Sequence, residues 1–157
     1  MRFAASLFDE KNPFSAADKA AEEVSKQLGG KRPEVAFLFA SIQYRADWKL
    51  LLRQVLERLG NPFLIGCTAG GILGQGQEVE RSPGLVLAAA SLPEVKLHPF
   101  LVVPENLSEQ RDAGYWIEKI GASPSQEPIG ILFPEPYSCD CMSLVRTFNT
   151  VYPKMPL

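Results

Sequence analysis

Residues 35–65, VAFLFASIQYRADWKLLLRQVLERLGNPFLI, decide the reading of this chain. The run VAFLFA at 35–40 is apolar without alternation, the pattern of a strand covered on both faces. Trp48, Leu51, Leu52, Val55, Leu56 and Leu59 then fall on one broad face at helical spacing, which predicts a helix over 46–59. Gly60-Asn61-Pro62 stops it, and Phe63-Leu64-Ile65 starts a second buried strand. A strand, a helix and a strand in this order form a parallel crossover unit.

Working outward, Arg2–Phe8 reads as a strand. Ser15 and Asp18 are placed to open a helix whose stripe is Ala17, Ala20, Ala21, Val24 and Leu28, ended by Gly29-Gly30. The chain therefore begins β-α-β-α-β with parallel strands. Residues 84–91 and 95–102 are two apolar runs joined by Leu92-Pro93-Glu94 and are expected to form an antiparallel hairpin. A polar connection at 104–112, a short helix over 113–120, an apolar strand at 129–133 and a helix over 138–151 complete the pass. The fold class expected is α/β with a mixed sheet.

The last two elements repeat the first unit. IGILFPEP at 129–136 parallels VAFLFAS, Leu144-Val145-Arg146 parallels Leu51-Leu52-Arg53, and Pro156-Leu157 parallels Pro62-Phe63. The copy halts at its second strand, so residues 1–157 are expected to be the N-terminal portion of a longer domain.

Composition limits the function. Apolar residues make up 46% and charged residues 22%, with net charge −2, which fits a globular domain and lacks the cationic surplus that nucleic-acid binding requires. No apolar run is long enough to span a bilayer. Three cysteines, an odd number, with no export signal at the start point to reduced thiols in the cytoplasm.

The richest chemical feature is the small-residue stretch Gly66-Cys67-Thr68-Ala69-Gly70-Gly71 at the end of the strand 63–65. Bare backbone amides there can hold an anionic group, at the strand ends where open α/β sheets bind ligands. It is not a P-loop, because Ile72-Leu73 stands where Lys-Ser/Thr is needed. It is not a dinucleotide fingerprint, because no helix follows. Tyr44 and Tyr137 lie after the two equivalent strands and are placed to close the rim. Arg45 and Asp47 read as a solvated helix start, and Glu78 and Glu80 as the exposed face of a short strand. Cys67 is a nucleophile only if a base meets it, and His98 is the single histidine. Cys139-Asp140-Cys141 has no second pair to complete a tetrahedral metal site, and Asp140 is expected to serve the helix that follows.

Three segments together resemble the FIST domain family: VAFLFAS with its helix, LIGCTAGGILGQGQEVERSPGLVLAAASLP at 64–93, and IGILFPEPYS at 129–138 with its helix. The match is to the N-terminal part of the FIST N domain. That family's pattern continues with a further glycine-ended strand and a C-terminal domain. The resemblance implies an intracellular sensory, signal-transducing module that binds small ligands such as amino acids, with a protein signalling partner and the remainder of the longer chain. It brings no catalytic residues, cofactor or metal to place here. Ligand sensing is the leading expectation; an enzyme using Cys67 and a protein-interaction scaffold are the alternatives.

Overall fold

A computed structural model describes residues 1–103 and 111–157. The chain divides into two compact units, Met1–Val95 and Lys96–Leu157.

The first unit is built on strands β1 (Arg2–Phe8), β2 (Val35–Ser41), β3 (Phe63–Ala69), β4 (Gly71–Gly74), β5 (Gln77–Glu80) and β6 (Leu85–Ser91). Its helices are α1 (Pro13–Gln27) and α2 (Trp48–Leu59), with a 3-10 turn over Ile42–Asp47 leading into α2. The main sheet has the order β1-β6-β2-β3. β2 and β3 are parallel, Val35 opposite Phe63 and Ser41 opposite Ala69. β6 is antiparallel to both of its neighbours. Hence β1, β2 and β3 run the same way, as expected, but β6 is inserted between the first two. The sheet is mixed and the fold is α/β.

Both helices lie on one face. Ala16, Ala17, Ala20, Ala21, Val24 and Leu28 of the first helix region pack with Leu51, Val55 and Leu59 against Ala36, Leu38, Ala40, Leu85 and Leu87. The alanine stripe lets α1 approach the sheet closely. Arg58 pairs with Asp18 at 2.9 Å and the Gln54 amide donates to the Phe14 carbonyl at 3.1 Å, tying α2 to α1. The cap of α1 is Asn12, whose side chain accepts from Phe14 and Ser15 N–H, with Pro13 at the first helical position. Ser15 and Asp18 therefore sit inside the helix, and Asp18 serves the Arg58 pair instead of the cap.

The other face carries the hairpin β4–β5. Ile72 and Val79 pack on Leu7 and Val86, with Phe39 and Ala69 alongside. The Gln75 side chain accepts from Leu7 N–H at 3.4 Å and donates to the Ala5 carbonyl at 3.0 Å, pinning the hairpin tip to β1.

The expected hairpin of 84–91 with 95–102 does not form. β6 already has β1 on one side and β2 on the other, so no edge remains for a third strand. Pro99 inside the second run also lacks the N–H a ladder needs.

In the second unit, helices α3 (Ala113–Ile120) and α4 (Cys141–Val151) enclose Trp116, Ile120, Ala122, Leu144, Phe148, Val151 and Tyr152. Phe148 meets the rings of Trp116 and Phe100 edge-on at 5.3 and 5.8 Å. The Tyr152 hydroxyl donates to the Ala122 carbonyl at 2.7 Å. Asp112 and Asp140 cap the two helices through Tyr115 and Ser143 N–H. The buried positions Leu144, Phe148 and Tyr152 occupy the same places in the repeated pattern as Leu51, Val55 and Leu59.

Residues 129–133 are not a strand, contrary to expectation. Ile129 and Ile131 are exposed while Leu132 packs inward, so the side chains alternate as in a strand. Gly130 N–H donates to the Pro156 carbonyl at 2.8 Å, but among the described residues no ladder includes this segment. The expected connection at 104–112 falls largely outside the described residues.

Candidate functional site

The six residues 66–71 are less loop than their composition suggests. Gly66 to Ala69 belong to β3, Gly71 starts β4, and Gly70 alone joins the two. Gln75-Gly76, with φ of 51° and 74°, forms the two-residue turn of the hairpin β4–β5. That dipeptide between GILG and QEVE was the available sign of a hairpin here.

β3 is an edge strand among the described residues. Phe63 N–H donates to the Glu34 carbonyl at 2.9 Å, toward β2. Alternation along a parallel ladder then turns the N–H and C=O groups of Leu64, Gly66 and Thr68 to the open side. Gly66 and Cys67 are exposed, and Thr68 and Ala69 half-buried.

The three glycines differ. A Cβ on Gly66 would lie 1.8 Å from the Leu38 carbonyl oxygen, so this glycine is required by the close approach of β3 to β2. A Cβ on Gly71 would meet the Glu80 side chain at 3.4 Å, which places the Glu80 carboxylate beside the corner. A Cβ on Gly70 would meet nothing within 4 Å, and its φ lies outside the left-handed range. The fold does not need a glycine there.

The neighbouring strand end is fixed by Ser41. Its buried hydroxyl donates to the Ser82 carbonyl at 3.0 Å and accepts from Gly84 N–H at 2.9 Å. Beyond it, Arg45 is exposed on the 3-10 turn, and Glu78 and Glu80 are exposed on β5 around buried Val79, all as expected. A cavity of about 230 Å³ lies beside Gly66, between α2 and the sheet edge, lined by Leu38, Trp48, Leu52, Leu64 and Ile65. Gly66 itself forms part of its lining. Sequence reasoning missed this notch.

Tyr44 is 2% exposed and packs in the helix-covered core, with its hydroxyl donating to the Glu10 carbonyl. Burial pushes its phenol up to about 12 from 10, with the Glu10 and Asp9 carboxylates adding to the rise. Below pH 10 the phenol is neutral whether the chain is folded or not. Between about 10 and about 12 only the unfolded chain gives up the proton, so stability falls as pH rises through that window. Denaturant titrations across this range are expected to show a shallower alkaline loss of stability in Tyr44→Phe than in the wild type. Equal slopes would contradict the assignment.

Tyr137 is 98% exposed and belongs to the second unit. His98 also lies there, its Nδ1 3.2 Å from where a Gly121 Cβ would be, and not in a strand. All three cysteines are free. Among the described residues no cluster of three or more His, Cys, Asp or Glu is placed to hold a metal ion, and no helix is long and apolar enough to cross a membrane.

Residues 34–157 match the family model of the FIST N domain. Similar proteins include the uncharacterized protein Rv0628c of Mycobacterium tuberculosis, 28% identical over 138 residues, which are 88% of this chain and 34% of that protein. The uncharacterized protein Mb0898c of Mycobacterium bovis is 26% identical over 153 residues, 98% of this chain and 38% of the relative. The chain thus spans little more than a third of the length of these relatives.

Proposed function

The chain belongs to the FIST N domain family, and on that premise we propose that it is a small-ligand-binding sensory module whose site is the corner at residues 66–71. The observation that carries this reading is Gly70, a glycine that neither backbone geometry nor crowding demands, at the carboxyl end of the parallel pair. A missing side chain there has a use if something must approach the backbone. The ligand class is an amino acid or a similar small anionic metabolite. Its carboxylate meets the N–H groups on the outer side of the end of β3, with Gly66, Cys67, Ala69 and Gly71 forming the bare surface. Thr68 supplies a hydroxyl as donor or acceptor. The Glu80 carboxylate beside Gly71 disfavours a bare dianion and suits an ammonium group, which selects a zwitterion. Tyr44 contributes by fixing the turn after β2, not by touching the ligand.

In this reading the chain is the N-terminal portion of a longer intracellular protein, and a signalling partner responds to the occupied site. Calorimetry against a panel of amino acids and small carboxylates is expected to give heat with at least one of them. Gly70→Ala is expected to leave stability within about 1 kcal/mol of the wild type and to weaken that binding at least about tenfold, or 1.4 kcal/mol. Folded protein that gives no heat with any member of the panel would sink the reading.

A further inference from the structure

We propose that Cys139 and Cys141 are a thiol–disulfide switch at the start of α4, closed by a low-molecular-weight disulfide and reopened by excess thiol. The pair is independent of the corner at 66–71, which holds the third cysteine.

The geometry favours closure of this pair. Asp140, between them, has φ −71° and ψ 89°. This is close to the inverse γ-turn, near φ −75° and ψ +65°, which draws the two flanking residues together. A disulfide needs Cα atoms about 4.4–6.8 Å apart, a span that such a turn meets. The Cys141 side chain already folds back, its Sγ 3.5 Å from the Cys139 carbonyl oxygen. Both cysteines are half-buried, so a small reagent reaches them. Asp140 does not compete for the sulfurs, because its carboxylate accepts from Ser143 N–H at 3.0 Å.

The two thiols have different parts. Cys141 is the first residue of the eleven-residue helix α4 and the partner whose sulfur turns back toward Cys139. Burial pushes the Cys139 thiol up, and Cys141, Asp140 and Glu135 add to the rise. Cys139 is therefore held as the thiol. Cys141 thiolate attacks one sulfur of the reagent; the reagent's S–S bond breaks and one thiolate leaves, giving a mixed disulfide on Cys141. Cys139 then loses its proton to solvent or to the departing thiolate. Its sulfur attacks that of Cys141 and expels the second thiolate. Two protein thiols are oxidised to one disulfide, and one small disulfide is reduced to two thiols.

Full chain equilibrated over a series of oxidised-to-reduced glutathione ratios, then alkylated and mass-mapped, tests this. At high ratio the chain is expected to lose two hydrogens. Alkylation at 139 and 141 should fall at least about tenfold relative to Cys67, and excess reduced glutathione should restore it. Cys139→Ser is expected to keep one glutathione on Cys141, because no thiol is left to displace it. Separate glutathione adducts on both cysteines, a bridge involving Cys67, a covalent dimer, or full alkylation at every ratio would each overturn the proposal. The wild-type measurement stands even if the variant fails to fold.

Discussion

Gly66→Ala is expected to cost the first unit at least about 3 kcal/mol and to lower its thermal midpoint by more than about 10 °C. The new methyl would lie 1.8 Å from the Leu38 carbonyl oxygen and 2.7 Å from its carbonyl carbon. Both are backbone atoms in the middle of β2, held on the other side by β6, so they have no rotamer to escape into. The strand must separate from its neighbour or twist out of register, and either course breaks ladder hydrogen bonds. Total stabilities of about 5–15 kcal/mol leave little margin for such a loss. Gly70→Ala, four residues away, is the matched control, since its methyl enters open space. Circular dichroism melts of the two variants should separate widely. A Gly66→Ala midpoint within about 2 °C of the wild type would show that β3 does not approach β2 this closely.

Phe148→Ala is expected to destabilise the second unit by about 3–5 kcal/mol. Phe148 is fully buried, and its ring is the one shared by Phe100 and Trp116. Removing it leaves a cavity at the centre of a unit of only modest size, and ends two edge-on ring contacts worth about 0.5–1.5 kcal/mol each. Phe148→Leu keeps most of the apolar volume and should lose chiefly those ring contacts, about 1–3 kcal/mol. Trp116 reports the result directly, its ring 5.3 Å from that of Phe148. In a Trp48→Phe background it is the sole tryptophan, and its fluorescence in denaturant gives the midpoint. A loss below about 1 kcal/mol for Phe148→Ala would contradict the described core.

What the sequence made legible was local. VAFLFA, the stripe of α2 with its Gly60 stop, and the bounds of α3 all follow from periodicity and caps over ten to fifteen residues. The capping role of Asp140 was legible for the same reason. What escaped was set by distant partners. Nothing within Leu85–Ser91 reveals that β1 and β2 will occupy both of its edges, and that occupancy is what forbids the expected hairpin. Residues 129–133 have strand-forming composition, yet a strand exists only through a ladder with a neighbour, and among the described residues no ladder includes them. At the candidate site, composition drew attention to residues 66–71 but not to the differences among them. Gly66 is fixed by the opposing backbone and Gly70 by nothing in the fold, a contrast visible only when β2 is in place.

The open side of β3 has a further consequence for the chain in concentrated solution. The strand FLIGCTA carries no charge and no proline, and Phe63 is 41% exposed at its start. Among the described residues no strand pairs with its outer side, and such a row of amides and carbonyls is a template on which another molecule's strand can add. Pro62, just before the strand, blocks growth at one end only. A single lysine at an exposed position of β3 is the change by which natural sheets guard such an edge.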